Sequence, residues 1–324
     1  MRLSARLIVA GAVTGLLGVV PAAAGAASPA QTRLVARTTP AGPVTPAVTT
    51  AASGPSGVSA KGAYLYDMDT AKKLWGVATT TKRPIGSITK MMTAVIALRA
   101  GGLDKTVTIK KSYVDHVKNN DASSAGLKAG DKVTVRQLLN AMLLPSGCDA
   151  AYALADIYGP GQTKFVAKMN EEAAALKMTS THYLNADGLP TSTHKEGYST
   201  PHDLILLARY AMTSTNFKTI VARQSYSLSK TSGHAAYKWA NTNLLLGSYS
   251  GAIGIKTGHT NAAGYSLVFA AKRSGRTLLG LVLNSTSTDS NRRFKDAAAM
   301  LDWGFGAKTA MRQLRSLPPG QATD

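Results

Sequence analysis

The sequence has little cysteine, little acid and no long apolar run. Cys148 is its one cysteine in 324 residues, so no internal disulfide forms and stability has to come from a packed core. Seventeen Asp and Glu stand against 37 Lys and Arg, a formal charge of +20. The first 58 residues hold Arg2, Arg6, Arg33 and Arg37 and no acid, which leaves 33 basic and 17 acidic residues beyond them. The excess base therefore belongs to the body of the chain, and it suits anionic partners: nucleic acid, an anionic membrane face or an acidic wall polymer. The only sustained apolar stretch, LIVAGAVTGLLGVV, is 14 residues long, short for a membrane span.

That stretch has a different use. Arg2 and Arg6 precede it and the small residues PAAAGAA follow it, which is the pattern of a secretory leader cut near Ala24 to Ala27. An uncleaved N-terminal anchor is the other reading. Residues 1–27 are thus assigned as leader and the protein as exported, which removes nucleic acid from the partners. Residues 28–58 are rich in Ala, Thr, Pro, Ser and Gly and are expected to be a disordered linker. The folded domain is expected over 59–306, with a polar tail over 307–324.

Within the domain, GAYLYDMDTAKKLWGV reads as two strands around a polar turn. ITKMMTAVIALRAGG reads as an apolar helix that stops at Gly101 and Gly102. Further helices are expected in TVRQLLNAMLL, after a Thr cap, in DAAYALADIYG, in TKFVAKMNEEAAALKM and in TPHDLILLARYAM, with Pro201 in its first turn. GAIGIKTG, GYSLVFAAKR and RTLLGLVLNS are strand-like, the last two joined by a hairpin turn. DSNRRFKDAAAMLDWGF closes the chain as an amphipathic helix. Strands at both ends with helices between predict an α+β fold: one antiparallel sheet built from the two termini, with a helical block inserted.

Three stretches carry chemistry. In RPIGSITKMMTAVIAL, Ser87 opens an apolar helix and Lys90 follows three residues later, on the same face. A serine hydroxyl needs a base before it becomes a nucleophile, and a lysine with a lowered pKa supplies one. An N-cap serine followed by a surface lysine is the plain alternative. Ser192 with Lys195 and Ser227 with Lys230 repeat the spacing, but neither opens an apolar helix. In LLPSGCDAAYALA, Ser146 sits at a Ser-Gly tip between two helices. It is either a turn capped by Asp149 or a proton relay held into a cleft. Cys148 beside it lacks a histidine signature for a cysteine nucleophile and reads as a small buried filler. In GIKTGHT, Lys256 and Thr257 suit a carboxylate, and Gly258 allows close approach. A phosphate loop fails there, because Ile255 intervenes before the lysine and a strand follows.

Ser-x-x-Lys, then Ser-Gly-Cys, then Lys-Thr-Gly, in that order, resembles the signature set of penicillin-binding proteins and class A β-lactamases. With YLNADGLP, YSTPHDLILLARYAM and NTNLLLGSYSGAIGIKTGHT, the chain looks like a low-molecular-mass penicillin-binding protein of the D-alanyl-D-alanine carboxypeptidase family, peptidase family S11. The resemblance covers roughly Gly62 to Phe305. It implies a five-stranded antiparallel sheet flanked by helices. It implies Ser87 as the acylated nucleophile, Lys90 as its base and Ser146 as the relay to the leaving amine. Lys256 and Thr257 would hold the substrate carboxylate, with Gly258, His259 and Cys148 also lining the substrate site. The N–H groups of Ser87 and His259 would form the oxyanion hole. No metal or cofactor is implied. The partners would be peptidoglycan stem peptides, with β-lactams as covalent inhibitors, at the cell wall. Anionic wall polymers or a membrane surface would answer to the basic charge.

One position departs from the family pattern, where Asn usually stands at Cys148. A thiol is a poor substitute for an amide that donates to the substrate. A cysteine there resembles a branch of small actinomycete transpeptidases. Two other readings remain at this point: a wall-binding relative with weak or no turnover, and a β-lactamase. The last needs a dedicated carboxylate for its water, and Glu196 is the only glutamate after Glu172.

Overall fold

The computed structural model describes residues 54–309, 311–319 and 321. The leader expected over 1–27, and all but the end of the linker expected over 28–58, lie outside them. Two strands open the fold, β1 (Gly62–Asp67) and β2 (Lys72–Val77). A short β3 (Arg83–Pro84) leads through a 3-10 turn (Gly86–Thr89) into α1 (Lys90–Ala100). There follow β4 (Thr106–Thr108), α2 (Lys111–Asn119), β5 (Lys132–Thr134) and α3 (Val135–Leu143). Next come α4 (Cys148–Tyr158), α5 (Gln162–Ala175), β6 (Tyr198–Ser199), α6 (Pro201–Ala211) and α7 (Thr215–Val221). The chain then returns through β7 (Ser225–Leu228), β8 (Tyr237–Ala240), β9 (Ala252–Gly258), β10 (Ser266–Arg273) and β11 (Arg276–Leu283) to α8 (Arg292–Phe305).

Five strands form one antiparallel sheet in the order β2-β1-β11-β10-β9. This is the α+β arrangement predicted from the two strand-rich ends. The sheet is covered on both faces, which is why its strands are nearly all apolar. Along β11, Leu279, Leu281 and Leu283 face the helical block, while Leu278 and Val282 face α8. β10 divides in the same way, with Val268 and Ala270 on one face and Leu267, Phe269 and Ala271 on the other. Ser274 and Gly275, both at positive φ, make the tight turn between them.

α1 is the hub of the helical block. It is apolar on all sides, as a helix surrounded by others must be, and it touches α3, α4, α5, α6 and α7. Lys90 and Thr93 break the pattern in its first turns, and both are buried. α3 starts in a capping box, with Thr134 and Gln137 satisfying each other's backbone N–H groups. α6 starts at Thr200, whose hydroxyl accepts from the Asp203 N–H, with Pro201 in the first turn.

Both ends of the described chain pack more fully than their composition predicts. Pro55 is already buried and Val58 rests on the α8 side of the core, so order begins before residue 59. The segment after α8, read from sequence as a polar tail, lays Met311, Leu314 and Leu317 on the same core. Arg315 donates to the carbonyls of Asn241 and Leu246. Gln321 Nε2 donates to Ala240 O at 2.6 Å, and the Ala240 N–H donates back to Gln321 Oε1 at 3.2 Å. The apolar residues there are spaced three apart, and a reading by overall polarity misses them.

Asp67 ties β1 to β11 at the sheet's end. Burial pushes its carboxyl up, but the N–H of Thr70, the Arg276 guanidinium and the N–H of Asp69 outweigh that and hold it below 3.8. Arg276 Nε donates to it at 2.7 Å. A carboxyl depressed in the folded state stabilises the fold above its unfolded value, and that stability is lost as pH falls through the folded value. Urea unfolding followed from about pH 5 to about pH 2 will show falling stability. Asp67→Asn will be less stable at neutral pH and will have a shallower acid slope.

Candidate active site

Three chain segments meet at the end of β9, and two glycines let them. Gly86 has φ +50°, and a Cβ there would stand 3.1 Å from the His259 backbone. Gly188 has φ +86°, and its Cβ would stand 1.9 Å from Gly86 O. Only glycine fits either place. The turn bearing Ser87, the NADGLP loop and the start of GHT are therefore packed backbone to backbone.

Ser87 lies in the 3-10 turn ahead of α1, not in the α-helix itself, which begins at Lys90. It is 5% exposed and Lys90 is 0% exposed. Lys90 Nζ lies 2.7 Å from Ser87 Oγ and donates to Asp187 O at 3.0 Å. The surface-lysine alternative is thereby removed.

Ser146 caps the turn between α3 and α4 with φ +66°, a left-handed conformation uncommon outside glycine. Its side chain is fully buried, and Lys256 Nζ donates to its Oγ at 2.9 Å. Lys256 also donates to Thr257 O at 3.0 Å, and Thr257 Oγ1 is 2.5 Å from Thr242 Oγ1. The two lysines thus arrive from opposite sides, Lys90 from the helical block and Lys256 from the sheet edge, each beside one serine.

Cys148 is 1% exposed and, like Lys90, Ser146, Lys256 and Thr257, lies behind the wall of the cleft. Burial pushes its thiol up to about 12, against the opposing charge of Lys90, so it is a neutral thiol at physiological pH. Asp149 does not cap α4, as its position had suggested; the cap is Gly147. Its buried carboxylate accepts from the N–H groups of Ala125, Leu127 and Ala150 and from Ser124 Oγ. It thereby pins the loop that forms one wall of the cleft. Burial pushes the Asp149 carboxyl up, opposed by those N–H donors.

The cleft in front of Ser87 has a volume of about 710 Å³. Its walls are the 120–124 loop, Pro145, the 188–190 loop, His259 to Asn261 and Tyr265, with Gln321 at one end. His259 stacks on Tyr265, ring centroids 4.1 Å apart at 20°. Glu196 accepts from Thr260 Oγ1 at 2.8 Å; burial pushes its carboxyl up, against that hydrogen bond. Of the residues named from sequence, Ser87, Lys90, Ser146, Cys148, Lys256, Thr257, Gly258 and His259 lie together. Ser192 and Lys195 lie on an exposed loop, and Ser227 and Lys230 on or just beyond β7.

Two features escape a reading by motif. Arg293 on α8 is fully buried, its Nη1 3.4 Å from Gly258 O and its guanidinium 5.1 Å from the Tyr265 ring centroid. The signal was its phase: Arg293 shares the buried face of α8 with Ala297, Met300 and Leu301. His116 and Asp187 form a pair behind Lys90, and no local pattern joins residues so far apart.

A buried Ser–Lys pair at a helix mouth, beside the edge strand of a five-stranded antiparallel sheet, defines the β-lactamase-like fold. The family profile described as D-alanyl-D-alanine carboxypeptidase matches residues 48–287, and the chain belongs to that family, peptidase family S11. It is 44% identical over 260 residues to a D-alanyl-D-alanine carboxypeptidase of Streptomyces sp. (strain K15), covering 76% of this chain and 88% of that one. It is 38% identical over 240 residues to D-alanyl-D-alanine carboxypeptidase DacB2 of Mycobacterium tuberculosis, covering 74% and 80%. Among solved structures, the Streptomyces K15 DD-transpeptidase superposes with a TM-score of 0.72 at 44% identity, covering 78% of this chain and 99% of that one.

Proposed function

We propose that the protein is a serine D-alanyl-D-alanine carboxypeptidase and transpeptidase of peptidoglycan stem peptides, and that Ser87 is its nucleophile. The observation that carries this reading is the 2.7 Å approach of Lys90 Nζ to Ser87 Oγ inside a buried site that opens on a cleft. Lys90 takes the proton of Ser87 as Oγ attacks the carbonyl carbon of the penultimate D-alanine. The developing oxyanion is met by the N–H groups of Ser87 and His259, the former at a helix N-terminus whose dipole favours negative charge. The C–N bond then breaks: Ser146 gives its hydroxyl proton to the leaving amine and takes in return the proton that Lys90 removed from Ser87. D-Alanine departs and an ester remains on Ser87. Water or the amine of a neighbouring stem peptide attacks that ester and regenerates Ser87.

Lys256 and Thr257 hold the terminal carboxylate of the substrate, and Gly258 and His259 shape the same edge. Cys148 stands behind Lys90, where its neutral thiol fills space. It acts on the substrate through Lys90 and Ser146, whose carbonyl oxygen is 4.0 Å from its sulfur. β-Lactams present a strained amide and a carboxylate in the place of the peptide bond and terminal carboxylate, and leave a stable ester on Ser87. Export, the wall as the site of action, and attraction of the basic surface to anionic wall polymers or lipid headgroups complete the reading. The charge of +20 supports the last of these.

Incubation with a penicillin, read by intact mass, is the test. One equivalent of adduct, together with release of D-alanine from a D-Ala-D-Ala-terminated peptide, is the expected result. A folded protein that takes adduct and releases no D-alanine is a binding protein without turnover.

A further inference from the structure

We infer that His116 and Asp187 are a positioning pair for Lys90, setting from α2 the pH at which Ser87 becomes reactive. The inference rests on the reading of Ser87 and Lys90 as nucleophile and base. It concerns two residues outside the three motifs.

Asp187 reaches Lys90 in two ways. Its carbonyl oxygen accepts from Lys90 Nζ at 3.0 Å. Its carboxylate, 2% exposed, adds a negative charge to the same interior. Burial pushes that carboxyl up, but the His116 hydrogen bond, the charge of Lys90 and the Leu189 N–H outweigh it and hold it low. A buried anion beside an amine favours the ammonium form. Asp187 alone would therefore keep Lys90 charged and unable to take a proton.

His116 tempers that anion. Its Nε2 is 2.6 Å from Asp187 Oδ2, and Asn120 Nδ2 stands 3.4 Å from its Nδ1. A neutral ring with its proton on Nε2 satisfies both contacts. Tyr152 holds the ring in place, centroids 4.3 Å apart. The ring is 20% exposed and borders a second hollow of about 620 Å³, which shares Asn120, Leu189 and Pro190 with the substrate cleft. Protons thus reach the pair from solvent without crossing the catalytic serine. The other ionisable groups that bear on it are Cys148 and, behind it, Asp149 on α4. Tyr152 also lies on α4, and Lys256 is reached through Ser146. On α2 itself, Asp115 is engaged by Lys111, and Lys118 lies two residues on.

The pH dependence of acylation by a penicillin, in the full chain, tests this. His116→Ala leaves Lys90 nearest to the uncompensated carboxylate, and the rising limb will move up by about one pH unit. His116→Gln keeps an N–H donor at the same reach and will restore the limb to within a few tenths of a unit of wild type. Asp187→Asn removes the charge but keeps an acceptor for the Leu189 N–H, and its limb will move down by about one unit. A structural role would lower the amplitude and leave the midpoint. Unmoved limbs, or shifts of the same sign in His116→Ala and Asp187→Asn, overturn the inference. Thermal melts check folding, and if Asp187→Asn does not fold, the two His116 variants decide alone. A wild-type protein that takes no adduct sinks the Ser87 reading, and this inference falls with it; wild-type adduct with unmoved limbs sinks only the inference.

Discussion

Ser87→Ala will take up no penicillin and release no D-alanine, and Lys90→Met will be acylated about 10³-fold more slowly than wild type. The alanine variant removes the atom that forms the ester, so its mass will not change after any length of incubation. The lysine variant separates base from nucleophile. Methionine fills nearly the same volume, so the serine stays in place with no group to take its proton. General-base assistance is worth about 10² to 10⁴ in rate, and the 2.7 Å contact made by a fully buried Lys90 places it at the upper part of that range. The fold will survive, because the Asp187 carboxylate beside Lys90 keeps its His116 and Leu189 hydrogen bonds. Far-UV circular dichroism of both variants, matched to wild type, ties the loss to chemistry. A Lys90→Met protein acylated at the wild-type rate would remove Lys90 from the mechanism.

Lys256→Met will lower kcat/KM for D-alanine release by about 10² to 10³, through loss of a charge-assisted contact of about 3 kcal/mol. Two tasks meet on this ammonium. In the proposed mechanism it faces the carboxylate that ends the substrate, and it touches Ser146 Oγ at 2.9 Å, the group proposed to protonate the leaving amine. A peptide with an amidated C-terminus separates them. Wild type will process the amide poorly, because the carboxylate is gone. If carboxylate binding dominates, Lys256→Met will process acid and amide almost alike, and the two changes will be strongly non-additive. If proton relay dominates, the variant will still prefer the acid. Equal losses that simply add would remove Lys256 from carboxylate recognition.

The resemblance of the three motifs, in their order, to the penicillin-binding protein signature brought Ser87, Ser146 and Lys256 into one candidate site from sequence alone. Each sits in a short motif with its own local signal: a serine before an apolar helix, a Ser-Gly tip and a glycine after a strand. The sheet was legible for a similar reason, since β10 and β11 are apolar runs flanking a tight turn. Local signals failed where partners lie far apart. Asp149 looks like a helix cap from its neighbours, yet its carboxylate reaches back to Ala125 and Leu127. Asp187 sits in a segment notable for its glycine, and nothing near it announces His116, 71 residues earlier. Arg293 looks like one more surface arginine until the helical phase of α8 is drawn. The chain after α8 was read by its polarity, whereas Met311, Leu314 and Leu317 dock it.

The central pairing of the sheet joins β1 to β11, with Gly62 opposite Leu283, and Ser59 bonds to Asp296 across 237 residues. While the polypeptide is being made, β1 and β2 have only each other, and an isolated hairpin is marginal in water. Ser87, Lys90 and Ser146 leave the ribosome long before the strands that their helices rest on. Such long-range pairing folds slowly. A nascent chain that stops short of β9 therefore carries the proposed nucleophile and no architecture to activate it. The polypeptide stays threadable until nearly its whole length exists, and reactivity arrives together with the last strand.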